Sequence, residues 1–301
     1  MTARARLRGG LLALQNPDGG YGARSGLPSA TEPTAVALLA LSFEPGPDGT
    51  TATRAWLRAQ QTPEGGWPAM AGLQEPSWAT ALAVLALARY PDEGAAVQGG
   101  TTWLIGQRGR TIDGRRGLLG RLFGRAPAVE LNGALVGWPW LVDTFSWVEP
   151  TAYALLALKA VEPRSAEAAA RIGQGERVLL DRVCPDGGWN YGNARVLGEN
   201  LWSYPDTTAL ALLALGKASS AAVAGQALDA LEAMLAANQS GLATALGVLA
   251  LAAHGRDVRT LRARLSTRFE ETGFLGDARS LAWALLAAND AVTPFGGPAG
   301  A

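Results

Sequence analysis

Apolar residues along this chain fall into two kinds of segment that take turns. The first kind is apolar nearly all round: TEPTAVALLALSF (31–43), WATALAVLALARY (78–90), VEPTAYALLALKA (148–160) and PDTTALALLALGK (205–217), followed by the weaker GLATALGVLALAA (241–253) and GDARSLAWALLAA (276–288). A stretch of Ala and Leu without a polar face is a helix buried on every side. The second kind sets charged residues among apolar ones at helical spacing, as in TATRAWLRAQQ (51–61), GERVLLDRV (175–183), QALDALEAMLAAN (226–238) and VRTLRARLSTRFEE (258–271). These predict amphipathic helices with one wet face. An open row of such pairs would leave apolar faces bare at both ends. Closing the row into a ring removes that cost, so the pattern predicts an all-α (α/α)6 toroid of six inner and six outer helices, with residues 1–301 as one domain.

Short polar motifs punctuate the rhythm. QNPDGGYG (15–22) returns as QTPEGGWP (61–68) and as CPDGGWNYG (184–192). Asp-Gly-Gly or Glu-Gly-Gly supplies a turn with positive φ, and the aromatic that follows is placed to pack over the next helix. The leading Gln is expected to bond the unpaired carbonyls that end its outer helix. One connection is longer. Residues 108–136 carry six arginines in their first eighteen positions, and an insertion at the mouth of a ring suits a substrate loop, a lid or a partner contact.

Charge and cysteine content narrow the partners. Lys+Arg and Asp+Glu are 26 each, which gives no field to attract nucleic acid. The apolar part of the N-terminus is about one helical turn long, so neither a signal peptide nor a membrane span is expected. Cys184 is the sole cysteine; a cytoplasmic location is expected, with peripheral membrane contact or a partner protein at 108–136 left open.

Gln, a short spacer, Gly and an aromatic resembles the QW motif of squalene-hopene cyclases, oxidosqualene cyclases and other class II terpene cyclases, with looser forms in protein prenyltransferase β subunits. Good copies stand at 15–22, 61–68 and 184–192, and a worn one, ETGFLG, at 271–276. The resemblance implies the same toroid and an isoprenoid substrate. In that family the acid that protonates an alkene or epoxide is the middle residue of an Asp-x-Asp-Asp motif leading into Thr-Ala and an apolar inner helix. Aligned by Thr-Ala, SWVEPTAYALLAL places Glu149 at the middle acid, SYPDTTALALLAL places Asp206 there and SATEPTAVALLAL places Glu32 there. The complete Asp-x-Asp-Asp set occurs nowhere, so the acid would be weaker and better suited to an epoxide or an allylic group.

Two readings of these acids stay open. Each is also a candidate helix cap, with Pro33 and Pro150 at the first helical position after Glu32 and Glu149, contributing ~1 kcal/mol. What distinguishes Glu149 and Asp206 is their company: Asp143, Trp138, Trp140, Phe145 and Trp147 precede Glu149, and Trp189, Tyr191, Trp202 and Tyr204 precede Asp206. Together with Trp78 and Tyr153 these rings form a candidate substrate wall, since aromatic faces stabilise cations and equally line apolar sites. Glu149, Asp206 and Asp143 are the candidate catalytic acids.

The zinc of the prenyltransferases requires an Asp, a Cys two residues later and a distant His. Asp181, Cys184 and His254 do not have that spacing, so no metal or other cofactor is expected. The chain therefore reads as a single-toroid terpene cyclase-like enzyme for an isoprenoid, or as a scaffold of the same fold that holds an apolar ligand or a partner without chemistry.

Overall fold

The computed structural model describes residues 2–46, 49–111, 129, 131–273, 275–289 and 295. Most of the Arg-rich insertion, 112–128 and 130, lies outside them, as does Phe274 of the worn motif. Outer helices α1 (Ala3–Leu12), α3 (Thr50–Gln60), α5 (Gly94–Gly106), α7 (Ala166–Asp181), α9 (Ala221–Ala237) and α11 (Arg259–Thr272) alternate with inner helices α2 (Thr31–Leu41), α4 (Thr80–Leu87), α6 (Val148–Ala160), α8 (Pro205–Leu215), α10 (Gly241–Ala253) and α12 (Ala278–Ala287). A two-stranded ribbon, β1 (Arg195–Val196) with β2 (Glu199–Asn200), decorates the α7–α8 connection.

Each inner helix packs on the next, and α12 packs back on α2. The ring is therefore closed, as the apolar pattern requires. All eight residues of α4 are buried, whereas α3 buries only Thr50, Thr53, Trp56 and Leu57. The absence of a polar face and the presence of one sort the two sets into inner and outer layers.

The repeated motif fixes the register between layers, by contacts different from those its sequence suggests. Gln15 Nε2 donates to the carbonyls of Gly19 and Gly49 and to Thr53 Oγ1, and Gln61 Nε2 to Gly65 and Ala96. The Gln thus ties its own turn to the following outer helix. Carbonyls in the last turn of the preceding outer helix are bound by the aromatic instead: Trp67 Nε1 donates to Leu57 O at 2.7 Å, Trp138 to Leu104 O at 2.9 Å and Trp189 to Leu179 O at 2.7 Å, the last two beside the backbone N–H groups of Gln107 and Arg182. An indole reaches further than an amide, and once buried its N–H needs an acceptor.

The same aromatic residues are clamped from the inner side. The backbone N–H groups of Tyr21, Trp67, Trp138 and Trp189 donate to the hydroxyls of Thr34, Thr80, Thr151 and Thr208 at 2.8 to 3.0 Å. The first Gly of the pair has φ of 88° at Gly19, 91° at Gly65 and 93° at Gly187, the left-handed turn expected. At the second there is no room for a side chain: a Cβ on Gly188 would stand 2.6 Å from Thr208 Oγ1.

Trp67→Phe leaves Leu57 O without its donor and also opens a cavity, the phenyl ring being smaller than the buried indole, which adds to the cost of the lost bond. A loss of about 1–3 kcal/mol is expected in urea unfolding, and an unchanged free energy would show that this bond contributes nothing.

Candidate active site

The four Thr anchors set α2, α4, α6 and α8 in one register, so residues two positions before each Thr meet around one mouth of the ring. Those positions are Glu32, Trp78, Glu149 and Asp206; the equivalent first-turn places on α10 and α12 are Leu242 and Arg279. Three acids separated by up to 174 residues in sequence therefore converge with one guanidinium.

None of the three acids is a cap. Ala30, Trp147 and Tyr204 are the N-caps of α2, α6 and α8, and no side chain caps these helices. The acids stand at the second helical position, and Pro33 and Pro150 at the third, not the first as their sequence suggests. Asp277, by contrast, caps α12 by accepting from Ser280 N at 2.6 Å. The acids still gain from the helix dipole, but their carboxyl oxygens are left for other partners.

Arg279 is the main partner. Its Nη1 lies 2.7 Å from Glu32 Oε1 and 4.0 Å from Glu149 Oε1, and its Nε lies 4.0 Å from Asp277 Oδ2. Burial is the largest single effect on Arg279 and opposes its charge, but Glu32, Tyr153 and Asp277 together outweigh it, so the guanidinium stays charged. A cation in the first turn of an apolar helix is disfavoured by the dipole, and here the facing carboxylates compensate.

Burial pushes the Glu149 carboxyl up to about 7. Arg279 pulls it down, Glu32 and Asp206 push it further up, and the nearby Tyr153 hydroxyl favours the carboxylate. Burial likewise raises Glu32, with Arg279 opposing. Glu149 is thus raised to about 7, while Glu32 makes the shorter contact with the cation.

This arrangement has a consequence for stability. A carboxyl whose folded pKa is raised holds its proton in the folded chain after the unfolded chain has released it, so stability falls as pH rises from the ordinary 4.5 to about 7 and then levels. That span is worth up to roughly 3 kcal/mol. Glu149→Gln is expected to remove most of the loss seen between pH 5 and pH 8 in urea unfolding, leaving a residual slope from Glu32; an identical slope in the variant would contradict the raised value.

The candidate aromatic residues divide into wall, lining and rim. Trp138 and Trp189 are 2% and 0% exposed, with their indole N–H groups spent on helix ends. They belong to the wall between layers, and Trp138 also borders the cleft at Trp78 and Trp140. Trp78 meets Trp140 edge-on at 4.8 Å and stacks on Tyr153 at 6.1 Å, which places both near Glu149 through the Tyr153 hydroxyl. Tyr191 packs against Tyr204 at 5.3 Å, and Asp206 raises its hydroxyl pKa ahead of burial. Trp202 is 65% exposed. Phe145 and Trp147 line a separate concavity. Asp143 sits in an exposed turn with φ 63°, whereas the charges acting on Glu149 come from Arg279, Glu32 and Asp206.

The acids do not line a central chamber. Tyr153 and inner-helix leucines such as Leu38 and Leu39 are fully buried beneath the mouth, and the cleft bounded by Trp78, Trp140, Pro150 and Ala154 holds about 20 Å³. A cavity of about 620 Å³ opens at the opposite end, among Leu85, Leu156, Lys159 and Leu213. The rim of the mouth is apolar. Among the described residues, eleven of twelve large exposed apolar side chains, including Met70, Leu141, Leu197 and Trp202, lie in outer-to-inner connections at this end.

Other chemistry is poorly served. Burial pushes the Cys184 thiol up to about 11, which keeps it protonated. Cys184 begins an outer-to-inner turn and His254 ends α10, so an inner-helix length separates them. Among the described residues no group of three or more His, Cys, Asp or Glu is arranged to hold a metal ion, and no helix is long and apolar enough to cross a membrane.

Arg279 is the residue that sequence reasoning missed. It lies in GDARSLAW, the weakest copy of the inner pattern, and the available signal was a cation where an apolar helix begins.

No family model matches the sequence, and no curated protein matches it either. Solved structures do. A variant of the type II terpene cyclase MstE from Scytonema, in complex with merosterolic acid A, superposes with a TM-score of 0.60 at 13% identity over 95% of each chain. The GH76A alpha-1,6-mannanase from Salegentibacter sp. HEL1_6 gives 0.62 at 10% identity, over 95% of this chain and 97% of its own. A protein from Actinoplanes gives 0.56 at 17%, again over 95% and 97%. At these identities the likeness is one of fold, and the fold is an all-α toroid that terpene cyclases and mannanases share.

Proposed function

We propose that the chain is a terpene cyclase-like enzyme in which Glu149 protonates an isoprenoid lying across the apolar mouth. The observation that carries this reading is a buried carboxyl, raised by that burial to about 7, near Trp78, Trp140 and Tyr153 and 4.0 Å from a guanidinium. In the initiating step the Glu149 O–H bond breaks, its proton goes to the substrate, and the carboxylate left behind is drawn toward Arg279. The aromatic faces then stabilise the carbocation while the rings close, and a proton is lost to water at the end.

An acid with a pKa of about 7 is weak. It suits an epoxide oxygen, which is basic, far better than an isolated alkene. Structural likeness to MstE, whose complexes hold merosterolic acid A and geranylgeranyl dihydroxybenzoate, supports an isoprenoid-bearing substrate without specifying one. Incubation with farnesyl, geranylgeranyl and squalene-type compounds, each with and without a terminal epoxide, should give cyclised product from the epoxides first. Absence of turnover across the panel, together with tight binding of the same compounds, would instead support the second reading, a non-catalytic holder of apolar ligands. That reading is favoured by the exposed rim around Trp202 and Leu141.

A further inference from the structure

A second concavity lies beside the α5–α6 connection. It measures about 240 Å³, and Val129, Leu131, Leu135, Phe145 and Trp147 supply apolar walls. Its buried charge is Arg182, the residue after α7, only 4% exposed. Among the described residues, the buried Nε and Nη1 groups of Arg182 have no hydrogen-bond partner. Asp181 Oδ2 stands 3.7 Å from Nε, beyond hydrogen-bond reach, and already accepts the N–H of Asn132 at 3.1 Å.

The contrast with Arg171, the other buried arginine of this region, is informative. Arg171 donates to the carbonyls of Val136 and Gln107 and to Gln174, and its guanidinium sits 3.9 Å over the Trp138 ring. Those contacts explain Arg171 as a structural clamp. Arg182 has no comparable set, and an uncompensated buried cation is costly. Burial holds its pKa below the ordinary guanidinium value, with Asp181 only partly opposing.

We propose that this pocket binds a small amphipathic carboxylate, its anionic head on Arg182 and its apolar body against Leu131, Leu135 and Phe145. One guanidinium with unspent donors favours a carboxylate, and the adjacent Asp181 disfavours a diphosphate or any multiply charged head. Arg110 adds positive charge at the edge of the same pocket. The inference stands apart from proton transfer at Glu149, because it rests on Arg182 and its walls alone.

Calorimetric titration of the full chain with octanoate, octan-1-ol and octylammonium tests it. Octanoate should bind at least tenfold more tightly than the alcohol, with the ammonium weakest. Arg182→Met should abolish that preference without lowering the melting temperature, since it removes a buried charge that Asp181 only partly offsets, and Arg182→Lys should keep part of the preference. Equal binding of octanoate and octanol, no saturable octanoate binding, or a preference that survives in Arg182→Met would overturn the proposal. Should the Met variant not fold, nuclear Overhauser contacts in the wild type decide. Contacts from the octanoate methylenes to the Leu131 and Leu135 methyls uphold the site, and their absence removes it.

Discussion

Glu149→Gln is expected to lower the rate of cyclisation by about 10²–10⁴-fold, while the melting temperature holds or rises at neutral pH. The amide matches the carboxylic acid in size and still lies near the Tyr153 hydroxyl, but has no acidic proton to give. In the wild type, activity should decline as pH rises through about 7, where Glu149 loses its proton. Asp206→Asn should have a smaller effect, because Asp206 acts on Glu149 only as a nearby negative charge. Removing it favours ionisation of Glu149 and moves the decline to lower pH. Comparing the two variants by initial rate across pH 5 to 9 separates donor from neighbour; equal losses in both would mean that the donor has been misassigned.

Arg279→Met is the second large effect. Glu32 loses its 2.7 Å partner and Glu149 the cation 4.0 Å away. Both carboxyls should titrate higher. Stability should fall by about 1–3 kcal/mol at pH 8, where the acids are charged and unpaired, and much less at pH 5, where protonated carboxyls need no cation. The pH at which activity declines should move up while the maximal rate drops, since the conjugate base formed during proton transfer is no longer stabilised; each 1.4 kcal/mol of that stabilisation is worth about tenfold. Urea unfolding at the two pH values and a rate profile read these effects. A variant with unchanged stability at pH 8 and an unchanged profile would show that Arg279 does not govern the group.

The ring was legible from hydropathy alone, because a buried Ala-Leu helix and a half-wet helix leave unlike patterns and their alternation has one economical closure. The convergence of Glu32, Glu149 and Asp206 was implicit in that closure once Thr-Ala was taken as the register mark. What sequence could not supply was the division of labour within each repeat. Gln and Trp both carry side-chain N–H donors, and only the geometry shows that Trp67 and Trp189 take the outer-helix ends while Gln15 and Gln61 hold the following turn. For the same reason Trp138 and Trp189 looked like substrate wall and pack between layers, Trp138 also bordering the cleft at Trp78 and Trp140.

The acids resembled caps because Glu-Pro before an apolar run is a helix-start signal. A shift of the helix start by two residues turns a cap into a side chain free to face the mouth. Arg279 and Arg182 were invisible for a further reason: a lone charge beside a helix end reads as solvated until the fold shows what surrounds it.

The most direct test of the account is turnover of an epoxide-terminated geranylgeranyl arene in D2O by wild type and Glu149→Gln, read by mass spectrometry and NMR. Wild type should yield a cyclised alcohol whose new hydroxyl originates from the epoxide oxygen, with an inverse dependence on pH above 7 and a solvent isotope effect on the initiating proton transfer; the Gln variant should yield none. Cyclised product from Glu149→Gln at the wild-type rate, or a wild-type reaction with no solvent isotope effect and no dependence on pH through 7, would contradict the assignment of Glu149 as the initiating acid.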